Sequence, residues 1–282
     1  MPKATNGAIS LEYETFGDGA PRGTPETVLL INGLGSQMTR WPADFCDRLA
    51  ARGFRVIRMD NRDTGLSSWL DGQRYVLKDM AADAMAVLDA AGVRQAHIAG
   101  VSMGGMIVQR IAIDYPDRVL SMTSIMSATS GDVQATPEAM AVITVAPPDP
   151  RADFEAFIAN AVKNAVTIGS PGYPWPDGAL RERAIAEHAR GFNPAGVARQ
   201  RQAIGADGDR AEALKGLKIP VVVLHGADDP LVQPIGGEQT AAAIPGAELR
   251  IIPGMGHDMP PALYDIFLDA ITTAAARAKT NA

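Results

Sequence analysis

The feature that most limits the folds open to this chain is an alternation that runs through its first 126 residues. Short β-branched, apolar runs take turns with longer runs of helical spacing. "TVLLING" (27–33) is strand-like, and "PADFCDRLAARG" (42–53) follows with helical spacing and a closing glycine. "FRVIRMD" (54–60), "QAHIAGV" (95–101) and "VLSMTSIM" (119–126) read as further strands. Between them, "LKDMAADAMAVLDAAG" (77–92) puts Met80, Ala84, Val87 and Leu88 on one helix face, and "MGGMIVQRIAIDYP" (103–116) is a helix halted before Pro116. Strands that are apolar on both faces and joined by helices predict a parallel sheet covered on two sides. "AISLEYETFG" (8–17) alternates instead, which predicts an antiparallel edge strand in a hairpin.

The alternation breaks near residue 128. "SATSGDVQATPEAM" and "VAPPDPRADF" are rich in turn formers, and helices and loops alone are expected up to about residue 215. Strand signals resume at "KIPVVVLHG" (218–226) and "AELRIIPG" (247–254), with helices at 235–244 and from about 261 to 276. The expected organisation is an α/β core built from residues 1–128 and 216–282, with a helical cap inserted at 129–215. A length of 282 residues, with 46% hydrophobic and 21% charged residues, suits one such domain.

Charge and composition narrow the partners. A net charge of −6 without a long basic run argues against nucleic acid and against an anionic membrane surface. No apolar run is long enough to span a bilayer, and "MPKATNGAIS" lacks the apolar stretch of a secretory signal. Cys46 is the single cysteine, so no internal disulfide can form, and a cytoplasmic protein is expected. Assembly into a homo-oligomer is compatible with this sequence.

Gly100-Val101-Ser102-Met103-Gly104 matches G-x-S-x-G at the point where a parallel strand hands over to a helix. So tight a bend strains the serine backbone and leaves no room for side chains two residues to either side. It lifts one hydroxyl above the carboxyl edge of the sheet. A serine hydroxyl needs a base, and the base needs an orienting acid. Of the four histidines, His257 in "IPGMGHDMP" lies on the loop after the last expected strand and is the candidate base. His97 reads as packed or at an edge, His225 as structural, and His188 as solvent-facing, with a pocket position as its alternative. Asp229 in "LHGADDPLVQP" is favoured over Asp228 as the acid, which gives the chain order Ser102, Asp229, His257. An oxyanion needs two backbone donors, and the N–H groups of Met103 and Leu34 are the candidates, the latter in the glycine-flanked loop "INGLGSQMTRW". Trp41, near that loop, and Trp175, in the stiff segment "SPGYPWPDG", are candidate substrate-pocket residues. "DNRDTGLSS" (60–68) reads as a structural loop in which Arg62 and Asp63 pair at the rim of the site. Its spacing is not that of a calcium loop, and no P-loop or dinucleotide fingerprint occurs in the chain.

Taken in order, "NGLGSQ", "DNRDTGLSS", "GVSMGG", "HGADDP" and "IPGMGHDMP" resemble the α/β-hydrolase superfamily along nearly the whole chain. "RMDNRDTGLSS" and "PGMGHDMP" resemble more narrowly the branch of aclacinomycin methylesterase and related small-molecule carboxylesterases. That resemblance implies a mostly parallel sheet of about eight strands, a helical cap, no metal and no organic cofactor. It also implies a triad of Ser102, Asp229 and His257. Asn32 departs from the pattern, since many members carry histidine there. The expected activity is cleavage of small-molecule carboxylic esters through an acyl-enzyme. The same groups acting on a lactone, a C–C bond, an amide or a peracid form the alternative, and a binding protein without turnover is a third reading.

Overall fold

Apolar strands need cover on both faces, and the sheet meets that need with helices. The computed structural model describes residues 2–18, 26–132 and 135–280. The strands are β1 (Lys3–Asn6), β2 (Ile9–Phe16), β3 (Thr27–Ile31), β4 (Arg55–Met59), β5 (Ala96–Val101), β6 (Val119–Ile125), β7 (Val221–Gly226) and β8 (Glu248–Ile252). They form one sheet in the order β1-β2-β4-β3-β5-β6-β7-β8. β1 and β2 are antiparallel to their neighbours, and the remaining pairs are parallel. Strands β3, β5 and β7 are buried at every residue.

The helices of the alternating region are α1 (Ala43–Ala50), α2 (Leu77–Ala90) and α3 (Met103–Asp114). Between β6 and β7 the chain runs through α4 (Pro137–Thr144), α5 (Phe154–Ile168), α6 (Ala179–Arg190), α7 (Pro194–Ala206) and α8 (Ala211–Leu214), with no strand among the described residues. Then come α9 (Ile235–Ala243) and α10 (Tyr264–Thr280).

Strand alternation divides the core in two. Leu29 and Ile31 of β3 join Met80, Leu88, Ile107 and Ile111 from α2 and α3. Val28 and Leu30 join Phe45, Leu49, Phe267 and Ile271 from α1 and α10 on the opposite face. Each such side chain contributes about 1.5–3 kcal/mol on burial. Cys46 sits in the second cluster, where burial pushes its thiol up to about 12.

The edge of the sheet departs from expectation. The alternating run forms β2, but β2 is second in the order and β1 is the edge. "KATN" buries only Ala4, so it carries too little apolar signal to stand out. The Asn6↔Ile9 pairing closes the hairpin over Gly7, whose φ of 59° favours glycine. No helix among the described residues is long and apolar enough to cross a membrane.

Candidate active site

Ser102 is the single residue between β5 and α3. Its backbone sits at φ 56°, ψ −121°, a sparsely populated region that costs about 1–3 kcal/mol. The bend is possible because its glycines have no side chains. A Cβ on Gly100 would fall on the Gly104 carbonyl, and one on Gly104 would fall on the Ile31 carbonyl. The Ser102 N–H donates to Ile125 O at 2.9 Å, and Ser127 Oγ donates to Ser102 O at 2.8 Å. The strained residue is thereby tied to the end of β6.

The loops after β7 and β8 bring the other two groups to the same sheet edge. His257 Nε2 lies 3.0 Å from Ser102 Oγ, and His257 Nδ1 lies 2.7 Å from Asp229 Oδ2. A carboxylate beside Nδ1 calls for a proton there, which leaves Nε2 free to accept one. Asp229 Oδ1 accepts the N–H groups of Leu231 and Val232, each at 2.9 Å. Burial works to raise the Asp229 carboxyl. The charge and hydrogen bond of His257, with the His225 ring close by, outweigh it and hold the group at about 2. Asp228 faces elsewhere, with Oδ2 accepting Gly254 N–H at 2.7 Å.

The loop after β3 lies against the serine, for a Cβ on Gly33 would come 3.1 Å from Ser102 Cβ. Leu34 and Met103 flank this space, and neither N–H is taken by a hydrogen bond to another described residue. Asn32 braces the loop from below. Its Nδ2 donates to Met59 O at 3.0 Å, and Asn61 Nδ2 donates to Asn32 O at 3.1 Å.

The segment after α5 grips the histidine loop. His257 N–H donates to Ile168 O at 2.6 Å and Gly172 N–H to Gly254 O at 2.9 Å. Ser170 Oγ accepts Gly256 N–H at 2.9 Å and donates to Asp258 Oδ1 at 2.5 Å, while Trp175 Nε1 donates to Asp258 Oδ2 at 2.7 Å. Burial raises the Asp258 carboxyl despite these bonds.

These contacts revise several sequence expectations. Trp41 is fully buried in the core, tilted against Phe45 at 5.3 Å, so it lines no open pocket. It belongs to the core cluster shared by α1, α10 and the sheet, and a core volume claims so large a ring first. Trp175 does reach a cleft of about 660 Å³, together with Val166, Leu180, Asp228 and Asp258, but Ser102 and His257 do not line it. Arg183 stacks on the ring of Trp175 at 4.6 Å. Arg62 and Asp63 do not pair. Arg62 bonds Asp83 at 2.5 and 2.7 Å, and Asp63 bonds Arg199 of α7 at 2.7 and 2.8 Å. Adjacent side chains in this turn point to different elements. His188 packs among Phe154, Phe157 and Phe192 instead of facing water. His97 is buried against Ser121.

The amino-acid sequence matches the α/β hydrolase fold family over residues 26–157. It is 31% identical to the rhodomycin D methylesterase DauP of Streptomyces sp. (strain C5), over 95% of each chain. It is 32% identical to the rhodomycin D methylesterase DnrP of Streptomyces peucetius, again over 95% of each. This chain belongs to the α/β-hydrolase fold family. The crystal structure of the enol-lactonase from Burkholderia xenovorans LB400 shares the fold, with a TM-score of 0.73 at 23% identity over 98% of this chain and 100% of that one.

Within this α/β hydrolase, sequence reasoning missed the residues that hold the site from behind. His225 Nε2 donates to Val232 O at 2.6 Å and lies 3.5 Å from Asp229 Oδ2, so it supports the acid's loop. Its place at the end of a strand, one residue before a glycine, marked it as structural but not as a neighbour of Asp229. Asp258 had one signal, its place beside His257. Ser170 and Gln200 had none, since each acts only through groups distant in sequence.

Proposed function

We propose that the protein is a serine hydrolase that cleaves carboxylic esters of small molecules through an acyl-enzyme. The observation that carries this reading is the unbroken line of contacts from Ser102 Oγ to His257 Nε2 at 3.0 Å and from His257 Nδ1 to Asp229 at 2.7 Å. Ser102 Oγ attacks the ester carbonyl carbon, and His257 Nε2 takes the hydroxyl proton. The carbonyl oxygen becomes an oxyanion between the N–H groups of Leu34 and Met103, each such donor lowering the barrier by about 3 kcal/mol. His257 then gives its proton to the leaving alcohol. Water attacks the acyl carbon by the same route and frees the acid and Ser102. Asp229 keeps the imidazole in the right tautomer and stabilises its cation. These steps need no metal and no organic cofactor.

In this reading the helical segment 129–215 is a cap over the reactive edge, and it selects the substrate. The similarity to the Streptomyces rhodomycin D methylesterases directs the first screen to methyl esters. The test is turnover of p-nitrophenyl and methyl esters by the wild type and by Ser102→Ala. The variant is expected to lose at least ~10³-fold in kcat and to stop reacting with a fluorophosphonate probe. Wild-type turnover by Ser102→Ala would overturn the assignment. Running lactone and amide substrates beside the esters identifies the bond cleaved.

A further inference from the structure

Gln200 lies on α7 and exposes none of its surface. Every hydrogen-bonding group of its amide is directed to the core. Oε1 accepts the Gly35 N–H at 2.8 Å. Nε2 donates to Arg62 O and to Thr64 Oγ1, each at 2.8 Å. Gly35 follows Leu34 in a turn that Ser36 N–H closes onto Gly33 O at 3.2 Å. That carbonyl belongs to the same peptide unit as the Leu34 N–H, and peptide units are planar. Whatever holds the turn therefore fixes the direction of the Leu34 N–H. The turn needs φ +64° at Gly35, and a Cβ there would come 2.8 Å from Val197 Cγ2. α7 thus closes on the turn, with Val197 as a wall and Gln200 as a hydrogen-bonding anchor.

We propose that Gln200 is a positioning residue for the oxyanion site, holding the Gly33–Ser36 turn so that the Leu34 N–H stays aimed at the space over Ser102. The inference rests on the reading of Leu34 and Met103 as oxyanion donors. An oxyanion donor works because it is already in place when charge develops, and a turn free to swing loses that advantage. Anchoring from the helical segment also couples its docking to the chemistry.

The test compares wild type, Gln200→Met and Thr64→Val for ester turnover, thermal unfolding and inhibition by phenylboronic acid, which adds to a serine hydroxyl as a tetrahedral boronate. Gln200→Met keeps the side-chain length and removes the anchor. Its expected outcome is a kcat lower by ~10–100-fold, a KM within about 3-fold of wild type, and boronate affinity weakened in step with kcat. Thr64→Val removes a neighbouring bond of the same amide but leaves the Gly35 contact. It is expected to lower the melting temperature while boronate affinity stays within about 2-fold. The inference is overturned if Gln200→Met folds with wild-type kcat and boronate affinity, or if Thr64→Val shows the same losses. Should Gln200→Met not fold, Gln200→Glu is measured instead. It keeps an oxygen for the Gly35 N–H, so retained boronate affinity in the folded protein supports the proposal, and its loss overturns it. Residual wild-type turnover in Ser102→Ala would strike at the triad and not at Gln200.

Discussion

Asp229 is buried, and its two oxygens divide their work. One receives the imidazole, and the other receives two backbone N–H groups of its own loop. Replacement by asparagine puts an amide where the imidazole needs an acceptor, so Asp229→Asn is expected to lose ~10⁴-fold in kcat. The same carboxylate stabilises the fold. Its pKa is lowered from 3.8 to about 2, so its contribution is complete above the unfolded value and fades as pH falls through the folded one. Urea titrations should give wild type its full advantage over Asp229→Asn at pH 7 and a shrinking one between about pH 4 and pH 2. Cys46 carries a second prediction. A buried thiol held at about 12 should not react with a thiol reagent until the protein unfolds, and mass spectrometry across a urea gradient reads this directly. At this scale, legibility followed chemical scarcity. Ser102, His257 and Asp229 could be picked out as candidates because few residue types can act as nucleophile, base or acid and each stands after a strand end, and the structure brings the three within hydrogen-bonding distance. Gln200 and Ser170 could not, because a hydrogen-bonding partner remote in sequence leaves no local pattern, and Asp258 had only its place beside His257.

Between β5 and α3 the backbone crosses the carboxyl ends of its neighbours at van der Waals contact. Gly104→Ala would drive a methyl group into the Ile31 carbonyl, and the cost should be about 1–3 kcal/mol, seen as a lower urea midpoint with an unchanged slope. The central strands β3, β5 and β7 were readable from apolar runs because burial on both faces leaves no other solution for them. β1 was not, since four residues with one buried side chain say little alone and pair only because Asn6 and Gly7 turn the chain back. The helices between β6 and β7 were readable as helices, but not for what they touch. The pairing of Arg62 with Asp83 and of Asp63 with Arg199 depends on which helix docks over the turn, and no periodicity records that.

At the scale of the whole molecule, the helical segment and the sheet are joined by buried charge. Arg190 of α6 meets Asp60 at 2.7 Å, and Arg199 of α7 meets Asp63 at 2.7 Å. The two acids respond differently. Burial dominates at Asp60 and raises its carboxyl. At Asp63 burial works in the same direction but is overcome by hydrogen bonds from Arg199, the Leu70 N–H and Tyr75, so its carboxyl is lowered. Arg199→Met would leave Asp63 as a buried charge without its cation, at a cost of about 3 kcal/mol. Chemical unfolding followed by both far-UV circular dichroism and tryptophan fluorescence should show that loss in one shared transition, since the buried ties make helices and sheet unfold together.

Ser102 and His257 stand 155 positions apart, and the mechanism proposed above arms the hydroxyl only when the two touch. During synthesis the ribosome releases the serine long before its base. A growing polypeptide that already displays the elbow would therefore carry an inert alcohol, and the cell would meet an armed one only after translation has passed the last loop of the sheet.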